Sequence, residues 1–64
     1  MAHIEASFFN TRFDDEMFSE QMITALTNAV ASVLGEEAGQ DTTVILHGID
    51  ADKWGHRGIQ LSKR

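Results

Sequence analysis

Thr42 to Ile49 reads TTVILHGI. Thr42, Thr43, Val44, Ile45 and Ile49 are β-branched, a composition that fits a pleated, half-buried surface and predicts a strand. Just upstream, Glu36 to Asp41 is polar around Gly39 and reads as a loop. Further upstream, Phe18 to Leu34 has helical periodicity. At 100° per residue, Phe18, Met22, Ile23, Ala25, Leu26, Ala29, Val30, Val33 and Leu34 share one half of the circumference. Glu20, Gln21, Thr24, Thr27, Asn28 and Ser32 take the other half. Asp14 or Asp15 is the expected N-cap, and Glu16 favours the positive end of the helix dipole. Gly35 is the expected C′ residue. At the start of the chain, His3 to Phe9 alternates, with Ile4, Ala6 and Phe8 on one side and His3, Glu5, Ser7 and Phe9 on the other. That period of two predicts a first strand. Downstream, Asp50 to Lys53 reads as a turn. Trp54-Gly55-His56-Arg57-Gly58 is a glycine-punctuated aromatic segment, and Ile59 to Ser62 has the length of a short third strand.

The order β-α-β-turn-β predicts an α+β fold of one domain spanning residues 1–64. A helix between two strands is long enough for a right-handed crossover, which makes the strands parallel. One helix covers one face of the sheet, so the other face is expected to be covered from outside the chain. Length supports the same expectation. A monomer of 7.1 kDa exposes roughly 4,100 Å² and buries only about 60% of its unfolded surface. Small chains usually add disulfides, a metal or partners. Cysteine is absent, so disulfides are excluded. His3, His47 and His56 are too far apart for a local ligand pair, so neither a metal nor any other cofactor is expected. Association with other chains is what remains.

The formal charge of −5 argues against nucleic acid as the main partner. Its distribution is more informative. Nine carboxylates and no lysine or arginine lie between Phe13 and Asp52, so an anionic ligand must draw on Arg12 or on Lys53, Arg57, Lys63 and Arg64. No apolar run approaches the ~20 residues of a membrane span, and the N-terminus lacks the regions of a signal peptide. A cytoplasmic protein without a membrane partner is the default expectation. The serines lack the glycines of a nucleophile elbow, and no phosphate-cradling glycine pattern is present. Asp14, Asp15 and Glu16 are explained by helix-start chemistry, and Asp50 and Asp52 by a turn.

The set of features, taken in order, resembles the 4-oxalocrotonate tautomerase family. Arg12 follows the first strand directly. VLGEE (Val33 to Glu37) ends the helix, TTVIL opens the second strand, and DADKWGHRG (Asp50 to Gly58) closes the pattern. The strongest motif is Trp54-Gly55-His56-Arg57-Gly58. The resemblance implies that two chains join into a four-stranded sheet with two helices on one face, as a homodimer or a trimer of such dimers. It also implies enol-keto proton transfer on a small unsaturated 2-oxo or 2-hydroxy carboxylic acid. In that family the base is the amine of an N-terminal proline exposed by removal of methionine, arginines hold carboxylates, and an aromatic ring keeps the pocket apolar.

Carried onto this chain, the resemblance makes Ala2, Arg12 and Trp54 the expected catalytic residues. Arg12, Arg57 and Phe9 are the expected substrate contacts. Two positions depart from the pattern. Thr43 stands where the family has a second arginine, for which Arg57, His47, His56 or a different partner chain could compensate. Ala2 stands where the family has proline. Either a proline-to-alanine change has been introduced, or the amine chemistry of this member is altered or lost. Read from the residues alone, Arg12 is a solvated neighbour of Asp14 and Asp15, Trp54 a packing anchor, and Phe8, Phe9 and Phe18 core or interface. Two other functional classes therefore stand beside the isomerase: a non-catalytic subunit of a homo- or hetero-oligomer, and a carboxylate-binding module.

Overall fold

In the computed structural model, which describes residues 1–63, two eight-residue strands form the centre. Strand β1 (Ala2–Phe9) runs parallel to the second long strand, β2 (Thr42–Ile49), in register from Ala2 opposite Thr42 to Phe9 opposite Ile49. Helix α1 (Phe18–Leu34) makes the crossover that parallel strands require. Its 17 residues span about 25 Å, close to the roughly 23 Å of an eight-residue strand, so one helix runs the length of the sheet. The α+β class and the strand-helix-strand order are as expected. Arg64 lies outside the described residues.

Local corrections have identifiable causes. The chain leaves β1 through a 3-10 turn over Asn10–Asp14, which postpones α1 to Phe18. Asp15 still accepts a hydrogen bond from the Met17 N–H on its Oδ1 at 2.9 Å, one turn ahead of the helix. Gly35 ends α1 as expected, its N–H donating to the Ala31 carbonyl at 2.9 Å. Glu36 to Gln40, read as loop, is a second short helix, α2 (Glu36–Gln40), with Glu36 and Glu37 in its first turn. Carboxylates are favourable there because the orphan N–H groups make that end positive. α2 packs tightly on α1: a Cβ on Gly39 would lie 2.6 Å from the Ala31 Cβ. Gly39 is the one residue in the buried class among those described.

The third strand is shorter than expected. Gly55–His56 (β3) pairs antiparallel with Ile59–Gln60 (β4), and the chain finishes the hairpin in a 3-10 turn over Leu61–Lys63. Arg57 at φ 56° and Gly58 at φ 80° give both central residues the positive φ of a type I′ turn. The Leu61 N–H donates to the Trp54 carbonyl at 2.8 Å, which closes the hairpin onto Trp54.

The sheet has two unlike faces. Ala2, Ile4, Ala6, Phe8, Thr42, Val44 and Leu46 are half-buried on the helix side, while His3, Glu5, Ser7, Thr43, Ile45 and His47 are exposed on the other. The expectation that the second face needs covering from outside meets a mostly polar surface there. A larger apolar exposure lies above β1. α1 leans over β2 more than over β1, and the flank of the helix above β1 is open. Val33 is 82% exposed and Leu34 64%. No hydrophobic side chain is fully buried among the described residues. The accessible surface is 4957 Å², well above the roughly 4,100 Å² of a compact monomer of this mass. The radius of gyration is 14.5 Å, against about 11 Å for a compact 64-residue domain.

Candidate functional site

Three phenylalanines position Arg12. The Phe18 ring packs edge-to-face with Phe8 at 5.2 Å and with Phe13 at 5.1 Å between centroids. Such edge-to-face pairs match the positive ring edge to the negative ring face. Phe13 also lies over Gly48, where a Cβ would come within 3.0 Å of its ring. Asn10 Nδ2 donates to Asp50 Oδ1 at 2.6 Å and ties the end of β1 to the end of β2. The 3-10 turn is thereby fastened to β1, α1 and β2, with Arg12 in its last turn.

Arg12 lines an open cleft of about 450 Å³ with Phe8, Thr11, Asp15, Phe18 and Met22. It is exposed and makes no ion pair among the described residues. A planar guanidinium that lines the same cleft as two phenylalanines and a methionine can take a carboxylate bidentately while the rest of the ligand rests on apolar wall.

A second cleft of about 390 Å³ continues along the same flank at the opposite end of β1. Its walls are apolar and include Ala2, Ile4, Ala29, Val33 and Leu34. The Met1 amine lies near this end and pairs with Asp41 Oδ2 at 3.5 Å. Ala2 is the first residue of β1, opposite Thr42.

The other expected site residues are dispersed within one chain. Phe9 and Trp54 come together, with ring centroids 4.8 Å apart, but neither lines the Arg12 cleft. Phe8, on the helix side of β1, takes the place in the cleft wall that had been expected of Phe9. Phe18 and Met22 complete that wall. Strand parity puts Phe8 on the helix side, but it is the 3-10 turn over Asn10–Asp14 that brings Arg12 to the same side. Arg57 stands at the exposed hairpin tip. Thr43 lies on the polar face opposite His3, away from the helix side.

That polar face carries its own cluster. His47 Nε2 is 2.9 Å from Glu5 Oε1, and His3 Nε2 is 3.3 Å from Glu5 Oε2. The hydrogen bond to His47, then that to His3, holds the Glu5 carboxyl below its ordinary value. Among the described residues no group of three or more His, Asp or Glu side chains is arranged to hold a metal ion. Nor is any described helix long and apolar enough to cross a membrane.

Compared with known proteins, the chain matches no family model, no curated protein and no solved structure.

Proposed function

We propose that the chain forms a homodimer whose two equivalent clefts catalyse enol-keto tautomerisation of a small 2-hydroxy or 2-oxo carboxylic acid. The observation that carries this reading is the placement of two groups on one strand. Arg12, which makes no ion pair among the described residues, lies just past one end of β1, and Ala2 begins the other end, roughly 23 Å away along the strand. One chain cannot bring both to one ligand.

Two copies can. β1 has a free edge, because the sheet order is β1-β2 alone. A two-fold axis perpendicular to the sheet keeps both helices on one face and makes the β1 edges antiparallel. Each Arg12 then stands beside the Ala2 end of the second copy. The same operation covers the open apolar flank, including Val33 and Leu34, which burial of nonpolar surface favours. Four strands and two helices result, as the tautomerase resemblance implies.

In the proposed site, Met1 is removed and the Ala2 amine acts as general base. It takes the proton of the enol O–H as the C–O bond becomes C=O. The C=C electron pair then takes a proton at carbon from the resulting ammonium. The amine returns to its starting form, and nothing is oxidised or reduced. Arg12 holds the carboxylate and stabilises charge developing on the adjacent oxygen. Trp54 acts one step away, by bracing Phe9 at the end of β1.

Subunit mass establishes whether Met1 is present, and ultraviolet ketonisation assays on the Met1-free protein test the chemistry. Ala2→Pro is expected to raise the rate by up to about 100-fold, because a general base contributes about 100-fold or more in all and the Ala2 amine already supplies part of that. Arg12→Gln is expected to abolish the gain. No activity from the Met1-free proline variant overturns the catalytic reading. A second reading, a non-catalytic subunit completed by a different chain, is favoured by the single cation of the cleft. A one-component assembly purified from the natural source argues against it.

A further inference from the structure

The charge inventory of the Arg12 cleft bears on which acid it takes. We infer that the cleft selects a monocarboxylate with an aryl or branched-alkyl tail and discriminates against dicarboxylates. This rests on the reading of Arg12 as the carboxylate ligand. Within one chain the cleft has one cation among the described residues, Arg12, and one anion, Asp15; Phe8, Phe18 and Met22 supply apolar wall, and Thr11 a hydroxyl. The Ala2 amine that the proposed second copy brings beside it acts as a base only when neutral, so it adds no cation. The other described side-chain cations, Lys53, Arg57 and Lys63, are in the hairpin region and do not line it, and the Met1 amine pairs with Asp41 at the far end of β1.

A ligand carboxylate paired with Arg12 leaves its tail against the rings and the thioether. A tail that is apolar gains by burial there. A second carboxylate at the far end of a short diacid has two places to go, and both are unfavourable. Against the rings it loses water and finds no partner. Near Asp15 it meets a like charge, and that carboxylate is held in place by the 2.9 Å hydrogen bond from the Met17 N–H. Asp15 and Thr11 also offer acceptors to a 2-hydroxyl group, which an enol or a 2-hydroxy acid provides. The volume of about 450 Å³ falls in the range of small-molecule sites and accommodates one aromatic ring with a short acid arm.

Unreactive probes separate recognition from turnover. The full chain in its native assembly is titrated by calorimetry with 3-phenylpropanoate, 4-methylpentanoate and adipate at fixed ionic strength. The two monocarboxylates are expected to bind at least tenfold more tightly than adipate. Arg12→Gln is expected to lose at least tenfold for both monocarboxylates. Asp15→Asn keeps an oxygen for the Met17 N–H and is expected to narrow the gap by improving adipate alone. Equal or tighter adipate binding overturns the inference, as does monocarboxylate affinity that survives Arg12→Gln, or no binding by any of the three acids. Binding with the expected order but no ketonisation by the Met1-free proline variant leaves this selectivity standing and removes the tautomerase reading instead.

Discussion

β1 and β2 present two faces made by the same sixteen residues, and the two differ in what they lack. The helix side is apolar and incompletely covered: α1 leans to β2, two clefts run along the β1 flank, and Val33 and Leu34 project into solvent. The far side is open yet largely satisfied. Its polar groups include Glu5 held between His47 and His3; of its large apolar residues, Ile45 is 38% exposed, and Phe9 and Ile49 are half-buried, Phe9 against Trp54. Topology alone suggests that an uncovered sheet face is where a partner must sit. The residues place the hydrophobic demand on a helix flank and a strand edge instead. In the proposed dimer that demand joins sheets edge to edge, whereas face-to-face stacking would draw on Ile45 and the half-buried Phe9 and Ile49 amid polar groups.

The sharpest way to break this contrast is to put the same charge on each side. In a dimer closed over the β1 flank, Val33→Asp buries an unpaired carboxylate, at a cost of roughly 3–5 kcal/mol. Sedimentation should show a rise of at least about 100-fold in the dissociation constant. Thr43→Asp, on the polar face, should leave the dimer intact. If Thr43→Asp dissociates the assembly and Val33→Asp does not, the faces stack and the edge does not pair.

How much of this was legible beforehand varied with the length of the signal. α1 gives nearly five turns of periodicity and a glycine at its end, and β1 alternates over its whole length, so both were readable. α2 is five residues long, too short for any period, and its one strong clue, a pair of glutamates after Gly35, also suits a loop. The start of α1 was misplaced because Asp15 does accept an N–H, but for a turn that precedes the helix. At the site, Arg12 was identifiable by its position after the first strand. Its wall was not, because the choice between Phe8 and Phe9 depends on which way the chain turns after β1. The polar character of the far face could be read from His3, Glu5, Ser7, Thr43 and His47.

A smaller effect tests the helix side within one chain. Gly39→Ala places a methyl group 2.6 Å from the Ala31 Cβ, so α2 or α1 must shift. Overpacking of this kind costs about 1–3 kcal/mol. For a chain of this size each kcal/mol lowers the melting temperature by roughly 4–8 °C. Gly55→Ala is the matched control, since its Cβ would approach only the Ile59 carbonyl, at 3.8 Å. Equal melting temperatures for the two variants would mean that α2 does not pack on α1 as described.

The smallest effect belongs to the polar face, and its sign follows from linkage. The hydrogen bonds from His47 and His3 lower the Glu5 carboxyl in the folded chain. A carboxylate depressed on folding stabilises fully above its unfolded value of about 4.3, and that contribution is lost as pH falls through the lower folded value. Ser7, Phe9, Thr43, Ile45 and Ile49, the other strand residues of this face, do not titrate, so the cluster's own charges set the response. Urea unfolding of the natural chain and of Glu5→Gln, compared at pH 6 and at intervals below pH 4.3, measures the difference. The gap between the two chains should hold steady down to about pH 4.3 and close below it. Because Glu5 is solvated in the single chain, screening keeps this gap small. Parallel acid profiles would mean that the histidine contacts add nothing. A gap much larger than that of an exposed pair would mean that water is excluded from this face, and edge pairing would then be only part of the assembly.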